Sequence, residues 1–113
     1  MKIISGAMTL EELRELAAGI FGNLVKAVVD VDREILAVDA ELHADLEASL
    51  IQDGSEQQGL WGINLYPDQN PEEFIEFDSM INVRPVQNNR SRGVEDETIR
   101  RKIIAIVLKR IVR

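Results

Sequence analysis

Two stretches hold the side chains with the most scope for chemistry. The first is Asp39-Ala40-Glu41-Leu42-His43-Ala44-Asp45, which contains the chain's single histidine. On an extended strand alternate side chains share a face, so Asp39, Glu41 and His43 project together. A carboxylate and an imidazole so placed suit proton transfer or a divalent cation. The second stretch runs from Glu76 to Gly93. Glu76, Asp78, Asn82 and Arg84 fall on one face of an alternating segment, and the loop after Pro85 adds Asn88, Asn89, Arg90, Ser91 and Arg92. A guanidinium fork meets two oxygens of a phosphate or carboxylate at once. Asn82, Arg84, Asn89, Arg90, Ser91 and Arg92 are therefore the candidate ligand-binding set, and Glu41, His43 and Asp78 the candidate catalytic groups.

Each feature also has a plain structural reading. An antiparallel sheet usually keeps one solvated polar face, a lone histidine among acids is commonly a surface residue, and an arginine-rich loop can be pinned by ion pairs. For a small hydrolase or a toxin-like nuclease, His43 or Glu41 would be the general base. Asp78 and Glu76 would orient water or a metal, and the arginines would stabilise a phosphate in the transition state. That chemistry requires the two stretches to meet. The leading expectation is instead an oligomeric binding or interaction protein whose arginine loop holds an anion, with a phosphate-containing ligand or RNA as partner. The chain has no cysteine, which excludes a thiol nucleophile, a disulfide framework and a cysteine zinc site. No glycine-rich phosphate cradle is present. The expectation is no cofactor and no resident metal.

The elements that must position these groups are legible as periodicities. Leu60–Tyr66 and Phe74–Arg84 alternate with period two, joined by the turn-rich Pro67–Glu73, and read as a hairpin. Leu24–Val31 and Glu34–Leu42 form another. Setting Val31 opposite Glu34 puts Val25, Ala27, Val29 and Val31 with Leu36, Val38, Ala40 and Leu42 on a core face, and Lys26 across from Asp39. Lys2–Ile4 reads as a short opening strand. Thr9 and Glu12 make a capping box for a helix from Leu10 to about Phe21, stopped by Gly22. Ala44–Gln52 reads as a second helix stopped by Gly54, and Glu95–Arg113 as a third. The expected fold is α+β: an antiparallel sheet of two hairpins plus a short N-terminal strand, its apolar side covered by three helices. The charged outer side would face the arginine loop. At 113 residues, one domain spanning 1–113 is expected.

The net charge of −7 conceals a division. Residues 1–83 carry four basic side chains against 17 acidic ones, whereas residues 84–113 carry nine against three. The basic end is expected to pack on the acidic body, in its own chain or a neighbour's, more than to seek nucleic acid, which an acidic protein approaches at an electrostatic cost. Ile99, Ile103, Ile106 and Val107 trace one stripe of the last helix, and Ile104, Leu108, Ile111 and Val112 widen it. Such a helix is buried on more than one side, so a homo-oligomer through it is expected. The longest apolar run, Ile103–Leu108, falls far short of the roughly 20 residues that span a bilayer. With acids in MKIISGAMTLEEL where a signal peptide would be apolar, the expectation is a cytoplasmic protein without a membrane partner.

The strings ELHAD (41–45), LWGINLYP (60–67), FDSMINVRP (77–85) and NRSR (89–92) together resemble an uncharacterised family of short bacterial proteins, a domain of unknown function, over nearly the whole chain. The resemblance implies a family label and carries no activity, cofactor or site residue with it.

Overall fold

A computed structural model describes residues 1–113. Val25–Asp30 (β3) and Ile35–Val38 (β4) form the first hairpin in the expected register, with Val28 opposite Ala37 and Val29 opposite Leu36. Lys2–Ile4 (β1) joins the far side of β4, and Leu60–Leu65 (β5) pairs along the whole of β3. Ile75–Glu76 (β6) closes the sheet, whose order is β1-β4-β3-β5-β6 with every pairing antiparallel. The fold is α+β, as its periodicities predict.

Leu10–Gly19 (α1) begins at the predicted capping box. Thr9 Oγ1 accepts from the Glu12 N–H at 3.1 Å, and the Glu12 carboxylate accepts from the Thr9 N–H at 3.4 Å. Leu13 and Ala17 of α1 and Ile103, Ile106 and Val107 of Glu97–Arg110 (α3) close over Val25, Ala27, Val29, Leu36, Val38, Trp61, Ile63 and Leu65. Alternation along β3 and β5 thus makes one fully apolar face beneath two helices.

The opposite face corrects the expectation of an open charged side. Val28, Ile35, Ala37 and Leu60 point there and pack on Leu46 and Leu50 of His43–Gln52 (α2). Helices therefore cover both faces. A ten-residue helix is only about 15 Å long, so α2 packs on the Val28 end of this face, and the end bearing Lys26 and Asn64 borders a cleft.

Three local readings also change. β4 stops at Val38 because Asp39 turns into the left-handed region (φ 74°), which short polar side chains tolerate. Its carboxylate lies 3.3 Å from the Met1 ammonium. Asp39, Glu41 and His43 therefore do not share an extended strand. The second strand of the later hairpin has two residues, after which Met80–Asn82 and Pro85–Gln87 form 3-10 turns. Met80 is exposed as its place in the outward row predicts, but Asn82 of the same row is wholly buried and Val83 of the expected core row faces solvent, so the alternation fails beyond Met80. Pro85 lacks the N–H that a continuing ladder needs, and Ser79 caps the first turn by accepting from the Ile81 N–H at 3.3 Å. Finally, α3 ends at Arg110. Ile111–Val112 (β7) runs parallel to Met8–Thr9 (β2).

The basic C-terminal segment meets the acidic body within the chain. Lys109 approaches Glu34 at 3.4 Å, Arg110 donates to the backbone carbonyls of Glu34 and Gly6, and Arg113 lies 5.0 Å from the centroid of Phe74. Ile104 and Leu108 face outward from α3. No helix is long and apolar enough to cross a membrane.

Candidate functional site

At the N-terminus of α2, the Lys26 end of the sheet forms the floor of a cleft of about 240 Å³. Lys26 and Asn64 are register partners on β3 and β5 and project from this floor. Leu42, His43 and Ala44 supply one wall, and Asp78, Ser79, Met80, Ile81 and Arg92 the other. Asp78 and Arg92 are linked by an ion pair of 2.7 Å between Oδ1 and Nε.

His43 opens α2 and is held by the sheet. Its Nε2 lies 2.8 Å from the Ile63 carbonyl. A carbonyl only accepts, so Nε2 carries the proton and Nδ1 is the lone-pair nitrogen of the neutral ring. Burial lowers the His43 pKa below the ordinary 6.5, and the charges of Lys26 and Arg92 lower it further. The Ile63 carbonyl and Asp78 act in the opposite direction. The ring is therefore neutral at pH 7, with its donor side turned to the backbone.

Leu42 is the N-cap of α2 and offers no side-chain oxygen to the first-turn amides. Those amides form the positive end of the helix dipole. Lys26 lies 5.3 Å from the Phe21 ring centroid rather than beside an acid. Asn64 is nine-tenths buried. Its Nδ2 donates to Glu76 at 2.8 Å and to the Asp78 carbonyl at 3.4 Å, while its Oδ1 has no partner. The cleft thus combines two cations, one carboxylate and a neutral imidazole at the start of a helix, an arrangement suited to a small anion.

The candidate residues separate into three groups. His43, Asp78 and Arg92 converge on the cleft. Asn82, Arg84 and Asn89 are instead buried in a polar seam along the edge of β5. The Asn82 amide accepts from the Gly62 N–H and donates to the Gly62 and Arg92 carbonyls. Arg84 donates to the Leu60 carbonyl, pairs with Glu47 at 3.3 Å and lies 4.9 Å from the Trp61 ring centroid. Asn89 Nδ2 donates to the Asn82 and Gly93 carbonyls, and its Oδ1 accepts from the Glu95 N–H. These polar groups are occupied in shaping the loop.

Arg90 and Ser91 are exposed and do not line the cleft. Their backbone N–H groups converge on the Glu95 carboxylate at 2.7 and 2.9 Å, which holds that carboxyl below its ordinary pKa. Glu41 is exposed in the link before α2 and is not part of the cleft. No group of three or more histidines and acids is placed to hold a metal. A larger hollow of about 380 Å³ lies between the β3–β4 turn and α3, beside Asp32, Glu34 and Lys102. It contains none of the candidate residues.

Lys26 and Asn64 were missing from the candidate set. The expected Lys26–Asp39 pair gave the lysine a structural role, but Asp39 leaves the strand and turns to the N-terminus. The available signal was an uncapped helix start, Leu42-His43-Ala44, two elements after a lone lysine in an apolar strand.

Against known proteins, a sequence profile described as "Protein of unknown function (DUF5674)" matches residues 2–110. No curated protein and no solved structure matches the chain. The chain belongs to this family of unknown function.

Proposed function

We propose that this family member binds a small phosphate-bearing anion in the cleft beyond α2. The carrying observation is that Lys26, Arg92 and the uncapped first turn of α2 surround a cavity in which Asp78 is the one lining carboxylate. Arg92 lies on the loop whose backbone the asparagine seam fastens to β5, and its guanidinium is directed by the ion pair with Asp78. Preorganisation of this kind reduces the ordering cost of binding. The anion would lie against the Nη groups of Arg92 and the α2 amides, with Lys26 below.

The test is calorimetric titration with inorganic phosphate and a mononucleotide, using matched chloride additions as control. A charge-assisted hydrogen bond contributes about 1.5–3 kcal/mol, so R92A and K26A should each weaken binding roughly 10- to 100-fold. R90A, outside the cleft, should leave it unchanged. A short single-stranded RNA forms the other arm: loss of RNA binding in R90A with mononucleotide binding retained would indicate an extended track past Arg90. Absence of phosphate binding, or an R92A profile equal to the parent's, would refute the proposal.

The exposed apolar side of α3 supports a second element of this reading, a homo-oligomer. Ile104 and Leu108 lie on the outer side of α3, with Val112 exposed just beyond it. Light scattering after size exclusion should show an assembly that L108E disperses. A monomer at micromolar concentration would remove this element while leaving the cleft reading intact.

A further inference from the structure

The same cleft holds a group that anion binding does not use. A counter-charge for an anion would be an imidazolium exposed to the ligand. His43 is instead turned so that Nε2–H donates to the Ile63 carbonyl at 2.8 Å, and the remaining nitrogen is a lone pair. Lys26 on β3, Asp78 before the 3-10 turn and Arg92 on the loop are the charged groups acting on the ring. Burial and the two cations keep it neutral. A neutral imidazole with one nitrogen fixed by the backbone is available as a general base at neutral pH. The flanking cations are of the type that stabilise charge on a phosphoryl group.

Charge and shape narrow the substrate. Lys26 and Arg92 against Asp78 leave one net positive charge on the lining side chains, which matches the single negative charge of a phosphodiester. The cleft's volume of about 240 Å³ limits the ligand to a small molecule. Leu42 and Met80, 55% and 65% exposed, form an apolar lip for the ester's organic part.

We infer that the cleft hydrolyses a small phosphodiester, with His43 Nδ1 as general base and Arg92 and Lys26 holding the phosphoryl oxygens. This rests on the anion-binding reading above. A water proton passes to Nδ1 as the water oxygen bonds to phosphorus. One P–O ester bond breaks, and its electron pair leaves with the ester oxygen, which takes a proton from solvent at the open mouth. The imidazolium then releases its proton to solvent, so the balance is diester plus water giving monoester plus alcohol.

The experiment uses the full chain with bis(p-nitrophenyl) phosphate, whose phenolate leaving group needs no acid, and p-nitrophenyl phosphate as the monoester comparison. The decisive variant is His43→Gln, because a glutamine amide N–H can retain the bond to Ile63 while removing the base. His43→Ala serves as the variant that loses both. Diester turnover should fall at least 100-fold in H43Q while inorganic phosphate still binds. The parent's rate should also rise with pH through the His43 titration, a limb absent from residual H43Q activity. R92A should raise KM for the diester. Turnover equal to the parent's in H43Q, or no parental turnover alongside intact phosphate binding, overturns catalysis and spares the binding proposal. Turnover of the monoester alone overturns the diester assignment. Loss of phosphate binding and turnover together in the parent protein overturns both readings.

Discussion

The Asn82 side chain pairs with both backbone groups of Gly62. Gly62 N–H donates to Oδ1 at 2.8 Å, and Nδ2 donates to the Gly62 carbonyl at 2.9 Å. A side-chain amide here takes the place of a neighbouring strand, satisfying the edge of β5 where β6 has ended. Both groups are buried, so N82A should leave a donor and an acceptor unpaired and cost about 3 kcal/mol. N82D should cost at least as much, because its carboxylate opposes the Gly62 and Arg92 carbonyls. Urea unfolding measures both, and a change below 1 kcal/mol in N82A would mean that the seam contributes little.

Gly62 is required for a steric reason. A Cβ at this position would lie 2.5 Å from both Cβ and Oγ of Ser79, and Ser79 is fastened by its N–H to the Arg92 carbonyl at 2.9 Å. Relief therefore demands that the 78–80 segment move away from β5. G62A should destabilise by about 1–3 kcal/mol, the usual cost of overpacking. The double variant G62A/S79G removes both close atoms and should recover part of that loss, a coupling readable in a double-mutant cycle. Additive effects would place the strain elsewhere.

Arg84 is buried in the same seam, and burial lowers its pKa while Glu47 counters the shift. Truncation by R84A would strand Glu47, itself 15% exposed at the side chain, and remove the contact with Trp61. Breaking such a pair costs about 3–5 kcal/mol. R84K should recover only part, because one ammonium could keep the Leu60 and Glu47 contacts, both made by Nη2, but loses the Nη1 bond to Gln87 and the planar face over Trp61. The double replacement R84M/E47L should be milder than R84A, since a packed apolar pair leaves no lone charge. Thermal unfolding would distinguish these, and R84K matching the parent would show that the fork is dispensable.

Local rules made most of the scaffold legible. The Thr9–Glu12 box, the Val31–Glu34 register and the stop at Gly54 each depend on neighbours in sequence, and each occurs as read. The site was harder because its walls come from separate elements. Alternation from Phe77 to Arg84 imitated a strand, yet the buried row is set by asparagine side chains replacing backbone partners, which periodicity cannot register. His43 and Asp78 were identifiable by type, but their meeting depends on α2 crossing the second face of the sheet. That crossing is set by Val28, Ala37 and Leu60, which in sequence resemble any buried strand residues. Arg84 and Arg92 are indistinguishable by composition, and only the fold buries one and leaves the other at the cleft.

The His43 ring should also be visible in stability, independently of any ligand. The folded chain holds this proton more weakly than the unfolded chain, whose imidazole titrates near 6.5. Between the two values the unfolded state binds more protons, so unfolding free energy rises with pH there. The contribution is complete above 6.5 and is lost as pH falls from 6.5 through the lowered folded value. Replacement by glutamine removes the titration while its amide can still donate to Ile63. The parent and H43Q should therefore differ in slope below pH 6.5 and run parallel above it, as urea unfolding at half-unit intervals would show. Parallel curves throughout would mean that the imidazole titrates alike in both states, and the neutral lone pair assigned to Nδ1 would have no support in solution.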